Sequence, residues 1–178
     1  MMENTKITER IGQRTLATRF GTFTEYLYAD GETESIALVM GNVASAEDVL
    51  CRLHSACIGG HVFNSTECEC AAEMAAAQAA IQAAGRGVII YLDQEGKGNG
   101  HLGLMRSIPF KKAGHSQAEA YVLAGYAADA RDYRPAAEII MDLKIGSIVM
   151  LTENPKKASD LQALGINVSG TKRLGETT

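Results

Sequence analysis

Cys57, Cys68 and Cys70 are the residues whose type and spacing bear most directly on chemistry. Cys68-Glu69-Cys70 puts two thiols on one face if the segment is extended, because side chains alternate along a strand. Cys57 follows an apolar run, Val49–His54, and a turn through Gly59 and Gly60 returns it to the same place. Three thiolates leave one position of a zinc tetrahedron for water, the pattern of catalytic rather than structural zinc. Zinc so held lowers the pKa of that water toward neutrality. Three buried structural thiols are the alternative, and Cys51, at a strand position, reads as core. His54 and His61 flank Cys57 within reach of such a metal. With His101 and His115, as isolated histidines, they read more readily as satisfied polar residues.

Three further segments carry charge at places where backbone can meet a ligand. Asp93-Gln94-Glu95-Gly96-Lys97-Gly98-Asn99-Gly100 follows an apolar run. Its glycines let backbone N–H groups approach phosphate oxygens, Lys97 adds charge, and Glu95 can orient a metal, a water or an amine. A plain tight turn is the alternative. Gly98–Gly103 also fits a dinucleotide-binding glycine pattern, but the cysteine segment before it argues against that fold. In Asp129-Ala130-Arg131-Asp132-Tyr133-Arg134, Arg131 has the fork to clamp phosphate and Asp129 can serve as base or metal ligand. A solvated salt bridge is the bland reading. Thr152-Glu153-Asn154-Pro155-Lys156-Lys157 opens a helix, a natural anion site or an ordinary cap.

The elements that must position these residues change period along the chain. Arg14–Tyr28 reads as a bent strand or a hairpin broken at Gly21, and Ser35–Val43 and Val49–His54 as further strands. Ala71–Ala84 predicts a helix ended by Gly85, followed by a buried strand at Gly87–Leu92. Ser116–Ala127 predicts a capped helix, and Pro135 starts another that runs to Lys144. Ile148–Leu151, Pro155–Leu164 and Ile166–Val168 read as strand, helix and strand. The expectation is an α+β or mixed α/β single domain over 1–178. An N-terminal antiparallel β region leads into a mixed sheet flanked by helices.

Composition narrows the classes of function. The chain has 178 residues, 46% of them hydrophobic and 21% charged, with a formal net charge of −4. That is globular composition, and its acidity argues against a general binder of nucleic acid or anionic membrane. No apolar run reaches the length of a membrane span, and MMENTKITERIGQR lacks the apolar core of a secretory signal. A cytoplasmic protein with free or metal-bound thiols is expected.

Taken together, RLHSACIGGHVFNSTECEC, GRGVIIYLDQEGKGNG, AADARDY and LTENPKK resemble GTP cyclohydrolase II in order and spacing. The resemblance runs from about Ile36 to Val168. It implies zinc on Cys57, Cys68 and Cys70, and a nucleotide site from Arg52, Glu95, Gly96, Lys97, Thr152 and Lys157. It implies Asp129 as base and Arg131 at the α-phosphate, where a guanidinium is better suited to stabilising charge than to nucleophilic attack. It further implies Mg2+ with the triphosphate, a homodimer, and opening of the imidazole ring of GTP. The ring carbon leaves as formate and pyrophosphate is released. From a length of 178 residues the expectation is a chain without the second synthase domain of a bifunctional riboflavin enzyme.

Several positions depart from the family pattern. HSEC reads HSAC, placing Ala56 where a carboxylate is expected. CDCGEQ reads CECAAE, placing Glu73 at a nucleotide-contacting Gln. QEGRGIGL reads QEGKGNGH at Lys97, a Thr beside the nucleotide reads Gln117, a catalytic Tyr reads Ile108, and TNNP reads TENP at Glu153. Changes in residues that read the ligand bear on specificity. Three readings follow: GTP ring opening, opening of a different purine or pyrimidine nucleotide or base, and nucleotide binding without turnover.

Overall fold

The structure is a computed structural model that describes residues 7–174. The opening of the segment inspected for a secretory signal, residues 1–6, lies outside the described residues, as do residues 175–178. Strands β1 (Glu9–Thr18), β2 (Gly21–Ala29), β3 (Glu34–Met40), β4 (Val49–Ser55), β5 (Gly87–Leu92), β6 (Ile148–Leu151) and β7 (Val168–Lys172) form one sheet. Its order is β1-β2-β3-β5-β4-β6-β7. The first four strands in that order pair antiparallel. The pairs β5–β4, β4–β6 and β6–β7 are parallel. The expected mixed sheet therefore changes character at β5, antiparallel to β3 on one side and parallel to β4 on the other.

Among the described residues six α-helices accompany the sheet: α1 (Ile58–His61), α2 (Cys70–Ala84), α3 (Gly100–Lys112), α4 (Gln117–Leu123), α5 (Arg134–Asp142) and α6 (Pro155–Ala163). Alternation along β5 explains how helices cover both faces. Val88, Ile90 and Leu92 enter a core with Ile139 and Ile140 of α5 and Leu161 of α6. Ile89 joins Ala77 and Ile81 of α2, together with Phe23 and Leu151.

Four sequence expectations change. Arg14–Tyr28 belongs to a hairpin whose first strand begins at Glu9. The helix expected to reach Ala127 stops at Leu123, where the chain turns through Gly125. The last strand is Val168–Lys172 rather than Ile166–Val168, because Ile166 is spent in the core beneath α6. Helix α3 was not expected, since Gly100, Gly103 and Pro109 all argue against one. It forms by packing on α4, with Gly103 seated against Asn99 and Tyr126.

The parallel half of the sheet positions the chemistry. β4, β5 and β6 point the same way, so the segments leaving their C-terminal ends emerge at one edge. Those segments carry Cys57, the Asp93–Gly100 loop, and Thr152 to Lys157. Among the described residues no helix is long and apolar enough to cross a membrane.

Candidate active site

Cys57 sits immediately before α1, and the helical turn Ile58–His61 doubles the chain back toward Cys68. The Cys68–Cys70 segment is not extended as expected: Glu69 occupies the N-cap position of α2 and Cys70 is the first residue of the helix. The turn into the helix, rather than strand alternation, brings the two thiols together. Donor atoms of Cys57, Cys68 and Cys70 all lie within 4.8 Å of one another. The Cys57 and Cys68 Sγ atoms are 3.6 Å apart. Zinc–sulfur bonds of about 2.3 Å give tetrahedral S···S edges of about 3.8 Å, close to the Cys57–Cys68 separation, so the thiols are a donor set that fits zinc. Gly60 forms the floor. A Cβ there would come within 2.9 Å of Cys68 Sγ and 3.5 Å of Cys57 Sγ. The backbone N–H of Cys70 holds the Cys68 thiol below its ordinary value, whereas burial pushes Cys57 and Cys70 up.

The loop after β5 is latched to this cluster. Glu95 Oε2 accepts the backbone N–H of Ile58 at 2.7 Å. Gly96 and Lys97 are both left-handed, at φ 61° and 55°, which curls the loop tightly. On its other side the loop is tied to the Asp129 segment. The Ala130 N–H donates to the Lys97 carbonyl at 2.9 Å, and the Gln94 amide donates to the Asp132 carbonyl at 2.6 Å.

The cations come from three elements. Arg52 on β4 is buried, its Nη1 donating to the Leu151 carbonyl at 3.0 Å and its Nη2 to Glu73 Oε2 at 2.6 Å. Lys157 on α6 reaches under β4 to donate to the Leu53 carbonyl at 3.2 Å. Burial, then Arg52 and Arg131, lowers the Lys157 ammonium to about 8. Arg131 is gripped by Asp129 through two bonds, Nε to Oδ1 at 2.9 Å and Nη2 to Oδ2. That grip holds the Asp129 carboxyl below the usual range and raises Arg131.

These groups meet in a cleft of about 510 Å³. The three cysteines, Glu95, Gly96 and Lys97 line it, and so do Arg52, Glu73, Gln117, Arg131 and Lys157. Two expected site residues fall elsewhere. Asp129 lies in an adjoining depression of about 70 Å³ with Tyr133 and Lys157. Thr152 is buried behind the cleft, its Oγ1 accepting the Asn154 N–H at 3.0 Å. Glu73 is engaged by Arg52. The histidines differ from a metal-directed reading: His54 and His61 hydrogen-bond each other, Nε2 to Nε2 at 2.9 Å. Burial, then Arg52, pushes His54 down to about 3, so it is a neutral partner.

Other lining residues were not anticipated. Ile58, Phe63, Leu104 and Met105 add apolar side chains to the lining of the cleft, which Ala56 also lines. Met105 and Leu104 arrive on α3, so missing that helix meant missing them. Tyr121 also lines the cleft. Its signal was available, because it stands one turn beyond Gln117 on a capped helix. Ile108 and Glu153 do not line the cleft.

A family model described as GTP cyclohydrolase II matches residues 9–173. The chain is 40% identical over 161 residues to riboflavin biosynthesis protein RibBA of Bacillus cereus, covering 89% of this chain and 41% of that protein. It is 40% identical over 169 residues to RibBA of Bacillus subtilis, covering 93% and 42%. The chain thus spans about two fifths of the length of the curated relatives it matches. Among solved structures, RibBX, a two-domain 3,4-dihydroxy-2-butanone 4-phosphate synthase from A. baumannii, aligns with a TM-score of 0.53 at 17% identity. That alignment covers 98% of this chain and 42% of the other, and shows a shared fold.

Proposed function

The chain belongs to the GTP cyclohydrolase II family, and from that premise we propose that it is a zinc-dependent cyclic amidohydrolase. It opens the imidazole ring of GTP and releases formate and pyrophosphate. One observation carries the reading: three mutually close thiols share a single cleft with Arg52, Arg131 and Lys157. Few sites need both a soft-metal triad and a concentration of buried cations. A nucleotide triphosphate presented to a hydrolytic metal does.

Cys57, Cys68 and Cys70 hold the zinc, whose contribution is Lewis acidity that brings the pKa of water near neutrality. Arg52 and Lys157 receive phosphoryl oxygens, and burial strengthens that attraction. Glu73 already satisfies Arg52, and the bound triphosphate, carried with Mg2+, replaces or shares that contact. Arg131 stabilises charge on the α-phosphoryl group as pyrophosphate leaves. Asp129 holds the guanidinium flat, and accepts a proton once phosphate takes over the fork. Glu95 anchors the glycine loop so that Gly96 and Lys97 close over the phosphates. The same reading has a cytoplasmic homodimer acting on a free nucleotide.

The presence of Ala56, Phe63 and Met105 in the cleft lining favours a second reading, ring opening of a nucleotide with fewer polar edges than guanine. The deciding experiment supplies zinc-loaded protein with GTP and Mg2+ and follows formate and pyrophosphate separately. Both products support the first reading. Pyrophosphate alone confines the chemistry to the phosphate side. Neither product, in protein with one zinc per chain, rejects GTP, and ring opening of ATP, UTP or CTP then supports the second.

A further inference from the structure

Among the described residues, six buried side-chain polar atoms have no hydrogen-bond partner. Four of them, Arg52 Nε, His54 Nδ1, Gln94 Oε1 and the Tyr121 hydroxyl, belong to residues that line the cleft described above. Buried polar groups without partners are costly and rare in native proteins, and a concentration of them marks a place where a ligand completes the bonding. Tyr121 is the member of this set with no part in the site described so far. It is also the phenol that lines the cleft among the described residues.

The ring of Tyr121 is fully buried, so its place is fixed by packing. The hydroxyl lies against the backbone of Gly96, where a Cβ would come within 3.3 Å of it. Gln117, one helical turn earlier, approaches it without forming a hydrogen bond of normal geometry. Its electrostatic neighbours are Glu95, latched beside the thiols, and the Asp129–Arg131 pair. Burial raises its pKa, which keeps the phenol protonated and therefore a donor. A packing role needs the ring and not the oxygen, yet the oxygen is present and unpaired beneath the loop that closes the cleft.

We propose that Tyr121 is a substrate-binding residue whose hydroxyl donates a hydrogen bond to an oxygen of the bound nucleotide. The inference rests on the nucleotide reading above and adds a contact to it. The oxygen belongs either to a phosphoryl group or to the nucleoside, since either is an acceptor that a buried phenol would select.

The test compares the zinc-loaded full chain with its Tyr121→Phe variant, by calorimetric titration with α,β-methylene-GTP and with inorganic tripolyphosphate. The expected result is at least fivefold weaker binding of the analogue, with a melting temperature unchanged or raised because no internal bond is lost. Equal weakening for tripolyphosphate identifies a phosphoryl oxygen; weakening for the nucleotide alone identifies an oxygen of the nucleoside. Affinities within twofold of the parent overturn the proposal. So does a lowered melting temperature with a parallel loss of binding, which is the mark of a structural role. A parent that binds the analogue but makes no formate from GTP sinks the ring-opening reading and leaves the Tyr121 test intact. A parent that binds neither probe sinks both.

Discussion

Replacing Lys157 by methionine should stabilise this protein at neutral pH while crippling its capture of anions. The ammonium is held near Arg52 and Arg131 in a buried position that lowers it from 10.5 to about 8. Such a displacement corresponds to roughly 3 kcal/mol of unfavourable charging in the fold. The variant forfeits one hydrogen bond to the Leu53 carbonyl, which offsets about 1 kcal/mol. The net gain is about 2 kcal/mol, or roughly 4–8 °C in melting temperature for a chain of this size. The sign follows from the lowered folded value. Below pH 8 the lysine is charged in both states and the fold bears the full cost. Between about pH 8 and 10.5 the folded protein sheds the proton that the unfolded chain still keeps, so the parent gains stability as pH rises. The advantage of Lys157→Met should therefore be largest at pH 7 and shrink through that window. Urea unfolding of both proteins at pH 7, 8, 9 and 10 measures it, with tripolyphosphate titrations at pH 7 expected to show at least a tenfold loss of affinity. A variant less stable than the parent at pH 7, or an advantage that does not shrink above pH 8, would refute the reasoning.

Three other expectations follow from the geometry. Gly60→Ala places a Cβ against the Cys68 and Cys57 sulfurs and the Cys70 Cβ, and should cut zinc affinity at least tenfold in a competition titration while leaving the far-ultraviolet circular dichroism unchanged. Glu73→Gln removes the carboxylate facing Arg52, and should tighten triphosphate binding several-fold at low salt, an effect that fades toward 0.5 M salt (roughly a 4 Å screening length). Pro109→Ala restores an N–H within α3, and should raise stability by about 1–3 kcal/mol in urea, read from the midpoint at constant slope.

Much of the site could be read from the sequence because its parts are local. Cys57, the Asp93–Gly100 loop and the Thr152–Lys157 segment each follow the end of a strand, where a short segment carries both the turn chemistry and the functional side chain. Cys68 and Cys70 were recognisable by spacing even though the geometry behind that spacing is a helix start rather than a strand. What escaped the sequence is non-local. Helix α3 is a poor helix by composition and exists because α4 supports it, so Leu104 and Met105 could not be placed on the cleft wall. The pairing of His54 with His61 depends on the tight turn of α1, which is too short to show a period. The engagement of Glu73 by Arg52, and the retreat of Thr152 behind the cleft, are set by how α2 and β6 sit against β4. An antiparallel region leading into a mixed sheet is legible in the sequence, but the switch at β5 and the strand order that makes it are not.

The reach of Lys157 to the Leu53 carbonyl spans 104 positions, and that of Arg52 to the Leu151 carbonyl spans 99. A ribosome adding 5–20 residues each second takes roughly 5–20 s to cover that interval. The thiols therefore emerge and can close on a metal well before the last strand and helix arrive. During this interval the nascent chain has its metal trap but lacks Lys157 and the carbonyl that steadies Arg52. Under the proposed function, metal loading and nucleotide recognition are separated in the birth of the molecule, and the first does not wait for the second.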